Sequence, residues 1–163
     1  MSRPIVELEP WEYEWAAHVG SRRFIENWSR GDAAHYDRSR MEDDRTAQVA
    51  AAACELAVAK WTNNYWSGHV WKVGDHAQRK DLPDVGRNIE VRRLRTRETA
   101  ALRRHQLGKG LVLFVAKPVM PEIRWIEIYG WIMYDKGWTL ADPSDYDPEN
   151  TRLLQPHHLK LNR

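Results

Sequence analysis

A single α/β domain is the fold class that the sequence predicts, with two helices leading into a small sheet. Three observations predict it. A chain of 163 residues is most simply one domain and is long enough to bury a core. Its first half carries apolar residues at helical spacing and an alanine-rich run, while its second half carries short β-branched and aromatic runs. With 42% hydrophobic and 29% charged residues, the composition is that of a globular chain rather than a disordered one.

The elements follow in order. A first helix is expected over residues 10–28. Pro10 suits its first turn, Glu12 and Glu14 favour its N-terminal end, and Trp15, Val19, Ile25 and Trp28 recur at about helical spacing. Gly20 weakens the middle of this helix and marks a place of close packing. Residues 29–40 are polar and read as a loop. A second helix is expected over residues 42–63, rich in alanine and free of Gly and Pro, with Asn63-Asn64 and Ser67-Gly68 ending it. Short strands are expected at residues 69–73, 88–95, 111–116 and 123–133. The third of these, Leu111-Val112-Leu113-Phe114-Val115, is the continuous apolar run of a central strand covered on both faces. The fourth alternates, with Ile123, Trp125 and Glu127 on one face and Arg124, Ile126 and Ile128 on the other. Residues 96–107 read as either a short helix or an ordered basic loop. The acidic, Pro-containing segment after Met133 reads as turns, followed by a C-terminal stretch, Leu153-Leu154-Gln155-Pro156.

Composition narrows the function classes. No apolar run is long enough for a transmembrane helix, and the first residues lack the apolar core of a signal peptide, so the expectation is a cytoplasmic protein with no membrane partner. A single cysteine, Cys54, excludes a disulfide framework and reads as a small core residue. The net charge is only +2, but its distribution is uneven. Between residues 87 and 109, Arg87, Arg92, Arg93, Arg95, Arg97, Arg103, Arg104 and Lys109 stand against Glu90 and Glu98 alone. Such a block favours a polyanionic partner, although a charge run by itself is more often a solvated face. The nine tryptophans are read mainly as core or rim anchors, with stacking on bases as the rarer use.

The chemistry-bearing stretch is Pro83-Asp84-Val85-Gly86-Arg87-Asn88-Ile89-Glu90-Val91-Arg92. A tight turn at Val85-Gly86 followed by a strand puts Glu90 and Arg92 on one face, with Ile89 and Val91 pointing into a core. Asp84 and Glu90 offer the oxygen ligands that Mg²⁺ or Mn²⁺ prefers, and a divalent cation would relieve the repulsion between two close carboxylates. Glu55, set among small and apolar residues of the second helix, reads as a structural ion pair with Lys60, which the helix pattern favours, or as a third acid facing the site. Arg92 cannot act as a base and is assigned to the scissile phosphate, so the nucleophile would be a metal-activated water. Arg93, Arg95 and Arg97, with Lys60, are the candidate nucleic-acid contacts. His69 and His76 lack a partner at zinc-finger spacing, His157-His158 reads as a solvent-exposed pair, and no phosphate loop or nucleophile elbow is present.

The order of Glu55 on a helix, Pro83-Asp84, then Glu90-Val91-Arg92 resembles the PD-(D/E)XK nuclease superfamily. Cys54-Glu55-Leu56-Ala57-Val58-Ala59-Lys60-Trp61, Tyr65-Trp66-Ser67-Gly68, Asp84-Val85-Gly86 and Gly130-Trp131-Ile132 are also similar to small phage and bacterial proteins. The likeness covers roughly residues 10–160. It implies a restriction-endonuclease-like core in which two N-terminal helices precede a small mixed central sheet. It further implies a Mg²⁺- or Mn²⁺-dependent nuclease acting on nucleic acid, DNA in the first instance, with Glu55, Asp84 and Glu90 as acidic ligands and a homodimer as a common assembly. Arg92 stands where the superfamily has its lysine; it keeps the charge but not the compact ammonium, and Lys80 and Lys60 are only candidates to supply an amine from a different backbone position. Relatives that lose a catalytic residue keep the fold and bind without cutting. The alternative reading is therefore an inactive nuclease-fold protein that binds nucleic acid or a host protein during phage infection.

Overall fold

The computed structural model of the chain describes residues 2–29, 44–72, 82–95 and 97–162. Of the loop expected at 29–40, Ser29 ends the first helix; the rest of that loop, the last residue of the strand expected at 69–73, and His76 and Lys80 lie outside the described residues.

Helix α1 spans Pro10–Ser29 and helix α2 spans Asp44–Thr62, close to their expected bounds. Pro10 opens α1, and Glu12 reaches back to accept the Glu9 amide at 2.8 Å, the reciprocal half of a capping box. Helix α2 closes on Asn63, whose φ of 55° is left-handed. There the Asn64 amide reaches Ala59 O at 2.9 Å and the Asn63 amide reaches Lys60 O at 3.3 Å. This pair of bonds satisfies carbonyls the helix end would otherwise orphan. The two helices approach closely at Gly20, where a Cβ would come within 2.5 Å of Val49 Cα. The glycine that weakens α1 is thus what lets α2 lie against it.

Four strands form the central sheet: β1 (Ile5–Glu7), β2 (Ile89–Arg93), β4 (Val112–Val119) and β5 (Glu122–Met133). Their spatial order is β1-β5-β4-β2, antiparallel except for the parallel β4–β2 pair. The sheet is therefore mixed, and among the described residues β2 is one of its edges. A second, three-stranded sheet, order β3-β7-β6, is built from β3 (Ala100–Arg103), β6 (Asp142–Pro143) and β7 (Thr151–Leu154), with a third helix α3 (Tyr134–Leu140) between β5 and β6. β4 divides the core as its apolar run implies. Phe114 and Ala116 join Val91, Ile126 and the alanines of α2 in one cluster. Leu113 and Val115 join Leu102, Tyr134, Trp138 and Leu154 in the other. The result is an α/β arrangement with α1 and α2 on one face of the sheet and the small sheet with α3 on the opposite face.

Several expectations are corrected. Of the segment expected at 96–107, the described residues 97–107 hold strand β3 and a 3-10 turn (Arg104–Gln106) rather than a helix or a basic loop throughout. Only Ala100 and Leu102 carry that strand's buried alternation, a signal too short to stand out among arginines. The acidic segment after Met133 folds into α3 and β6, while Leu153 and Leu154 end β7 and Pro156 opens a 3-10 turn (Pro156–His158). Residues 69–72 form no strand; instead Trp66 makes an isolated antiparallel bridge to Val85. Among the described residues no helix is long and apolar enough to cross a membrane.

Candidate active site

The site forms at the open edge of β2. Val85 and Ile89 exchange two backbone bonds of 3.1 Å each across a tight turn, and Gly86 turns the chain there with a φ of 57°. A non-glycine residue would be strained in that conformation. The Gly86 amide also reaches Tyr65 O at 2.8 Å, fastening the turn to the segment after α2. The turn carries Asp84 back alongside the strand, where its Oδ2 accepts the Val91 amide at 2.9 Å. The aspartate thus continues by side chain the ladder that the backbone has left.

Alternation along β2 places the remaining groups. Ile89 and Val91 pack into the helix-side cluster, so Glu90 and Arg92 project from the opposite face. Buried Glu90 accepts Arg92 Nη1 at 2.7 Å, and Arg92 Nε donates to Ala101 O of β3 at 2.9 Å. Burial alone would lower the Arg92 pKa. Glu90 first, then Tyr134 and Asp84, outweigh that effect and hold the guanidinium charged.

Glu55 comes from the helix side and is also buried. Its carboxylate is gripped by Arg23 of α1 in a two-pronged pair, Nη1 to Oε1 at 2.8 Å and Nη2 to Oε2 at 3.0 Å. Trp66 Nε1 adds a bond to Oε2 at 2.9 Å, and Arg23 Nε continues to His69 O at 2.9 Å. The ion pair expected between Glu55 and Lys60 does not form. Lys60 Nζ instead binds Glu12 Oε1 at 2.8 Å and Glu7 O at 2.9 Å. Five residues along a helix is a rotation of about 140°, which turns Lys60 away from Glu55.

Asp84 lies between these two groups and feels both. Desolvation first, then the carboxylates of Glu55 and Glu90, raise its pKa well above the ordinary carboxylate value; Arg92 and the Val91 N–H pull the other way without prevailing. Of the three acids, Glu55 and Glu90 have a guanidinium bonded directly to them, whereas the bond to Asp84 is the neutral Val91 amide. A half-buried carboxylate beside two others is a place where added positive charge is stabilised, and the donors are all oxygen, as a hard divalent cation prefers. Asp84 and Glu90 offer oxygens of the type that Mg²⁺ or Mn²⁺ takes, with Glu90 Oε1 bonded to Arg92 and both Glu55 oxygens already hydrogen-bonded. Among the described residues no group of three or more His, Cys, Asp or Glu side chains is arranged to share one metal ion, as expected when Glu55 and Glu90 approach the strand edge from opposite sides of the sheet.

The basic residues are dispersed. Arg93, half-buried, lies close enough to the helix side to lower the Cys54 pKa, although burial dominates and pushes that thiol up to about 12. Arg95 is half-buried and Arg97 is exposed. Cys54 is a core residue, as its composition context implies. Sequence reasoning passed over Arg23 and gave Trp66 no role. The available signal was Glu55 itself, since a buried acid in an alanine-rich helix demands a cation from another element. Helix α1 offers Arg22 and Arg23 as that cation. Arg22 is exposed and pairs with Glu26 at 3.4 Å. No protein-family model, no curated protein and no solved structure matches the chain.

Proposed function

We propose that this chain is a metal-dependent nuclease of PD-(D/E)XK type, with a restriction-endonuclease-like core, hydrolysing phosphodiester bonds of DNA. The observation that carries the reading is the half-buried Asp84 carboxylate, raised in pKa by desolvation and by Glu55 and Glu90 at an open strand edge. Strongly perturbed groups of this kind concentrate at functional sites. In this reading Asp84 and Glu90 hold Mg²⁺ or Mn²⁺. The cation, when bound, supplies Lewis-acid activation of water and of the phosphodiester. Glu55, anchored by Arg23 and Trp66, stands beside them as the third carboxylate and fixes the local negative field. Arg92, kept charged by Glu90, offsets charge that develops on the phosphate. Arg97, with Arg93 and Arg95, contributes phosphate contacts along the substrate backbone, whereas Lys60 is held by Glu12 and the Glu7 carbonyl and is not counted among them.

One observation favours a second reading. Arg23 and Arg92 already neutralise Glu55 and Glu90 with the protein's own cations, which suits a nuclease-fold protein that binds without cutting. Incubation of labelled duplex and single-stranded DNA with Mg²⁺, Mn²⁺ or chelator separates the two. Metal-dependent cleavage that disappears in Asp84→Asn supports the nuclease. Salt-sensitive retention of DNA with no turnover under any metal supports the binding protein and removes the catalytic assignment.

A further inference from the structure

The Tyr65 side chain is 76% exposed, yet the backbone that carries it is pinned on both sides. The Tyr65 carbonyl accepts the Gly86 amide at 2.8 Å, and the preceding Asn64 amide is bonded to Ala59 O of helix α2. The following residue, Trp66, is buried, bridges Val85 and donates its indole N–H to Glu55. A large flat ring held in water on a fixed backbone gives up little freedom when a flat partner covers it.

Register places that ring beside the candidate site. Val85 forms an antiparallel bridge to Trp66 on one side and to Ile89 on the other. All three residues pack into the helix-side cluster. Alternation therefore turns Tyr65 and Asp84 to the opposite face, the face from which Glu90 and Arg92 project. Counting outward from the bridges sets Asp84 across from Glu90 and Tyr65 across from Gly86. The tyrosine thus stands two residues along the strand, about 7 Å, from the level of the two carboxylates. Exposed Arg87, next to Gly86, adds a positive charge for a flanking phosphate. An aromatic face at this distance from a phosphate site suits the nucleobase attached to that phosphate. In a duplex both faces of a base are already stacked on its neighbours, so only an unpaired base offers a free face to Tyr65. We propose, on the reading of Asp84 and Glu90 as the metal and phosphate site, that Tyr65 is the stacking platform for an unpaired nucleobase. The substrate strand drawn across the site is then single-stranded DNA.

Fluorescence anisotropy with a labelled oligothymidylate of about 12 nucleotides and a duplex of the same length, in the presence of Ca²⁺, tests this. The wild type is expected to bind the single strand more tightly than the duplex. Tyr65→Ala is expected to weaken single-strand binding by about 5- to 100-fold, the worth of one base–aromatic stack, and to leave duplex binding unchanged. Tyr65→Phe, which keeps the ring face, is expected to bind as the wild type does, and so is Trp125→Ala on β5. An abasic strand of the same length separates stacking from folding, because wild type and Tyr65→Ala should bind it equally. Tighter binding of the duplex than of the single strand by the wild type overturns the proposal, as does binding of neither. Tyr65→Ala overturns it too if it binds the single strand as the wild type does, or if it loses the abasic strand to the same degree. Single-strand binding that requires Tyr65, with no cleavage under Mg²⁺ or Mn²⁺, upholds the platform and removes the nuclease assignment. Metal-dependent cleavage of duplex and single strand alike, unchanged in Tyr65→Ala, upholds the nuclease and removes the platform.

Discussion

At the edge of β2 the Asp84 carboxylate accepts the Val91 amide and also bears the field of two other acids, so its replacement separates a structural effect from an electrostatic one. Asparagine keeps an oxygen for the amide and removes the charge. Because the folded pKa of Asp84 is raised, its contribution to stability is fully present below the unfolded value of about 4 and is lost as pH rises through the folded value. Above that point the folded protein carries a half-buried charge. Asp84→Asn is therefore expected to raise the Tm at pH 7–8, by about 2–4 °C for each kcal/mol relieved, and to lose its advantage as the pH falls toward about 3. Thermal melts across that range check it; a variant less stable than wild type at neutral pH would mean that the carboxylate is a net stabiliser. Arg23 gives the opposite case. Arg23→Ala leaves buried Glu55 without its guanidinium, and breaking a pair of this kind costs about 3–5 kcal/mol. Urea unfolding should show that loss at pH 7 and a smaller loss in the double variant Arg23→Ala, Glu55→Gln, where no charge is left unpaired. The geometry of Glu90 and Arg92 was legible in the sequence because strand alternation is strictly local. Arg23 was not, because its partner lies 32 residues away on another helix, and nothing in the spacing connects them.

At the scale of elements, the α1–α2 contact positions Glu55 for the site. It depends on Gly20, which lets the backbone of Val49 approach. Gly20→Val places methyl groups in that space and is expected to cost about 1–3 kcal/mol by forcing the helices apart. The same shift would loosen the Arg23–Glu55 pair, so the exchange protection expected of the Trp66 indole N–H, which donates to Glu55 Oε2 at 2.9 Å, should be lost along with stability. Exchange that stays protected in a destabilised variant would show that the pair does not depend on helix packing. Both long helices and the central strands were legible because each is long and strongly patterned. β1, β3, β6 and β7 have only 3, 4, 2 and 4 residues, and strands so short are defined by their pairing partners rather than by their own pattern. Helix α3, with 7 residues and an internal glycine, is fixed by burial of Tyr134 and Trp138 rather than by propensity.

Across the whole molecule, three carboxylates converge on one strand edge from two layers, and two of them carry their own arginine. In the proposed function the one without a bonded arginine, Asp84, takes an external cation, and this is the central claim. It is tested most directly by calorimetric titration of the wild type and Asp84→Asn with Mn²⁺ in the presence of a short DNA duplex, whose phosphates can complete the coordination. The account predicts saturable Mn²⁺ binding to the wild type and its loss in Asp84→Asn, with both proteins folded. Absence of binding to the wild type with duplex present, or equal binding by both proteins, would contradict it.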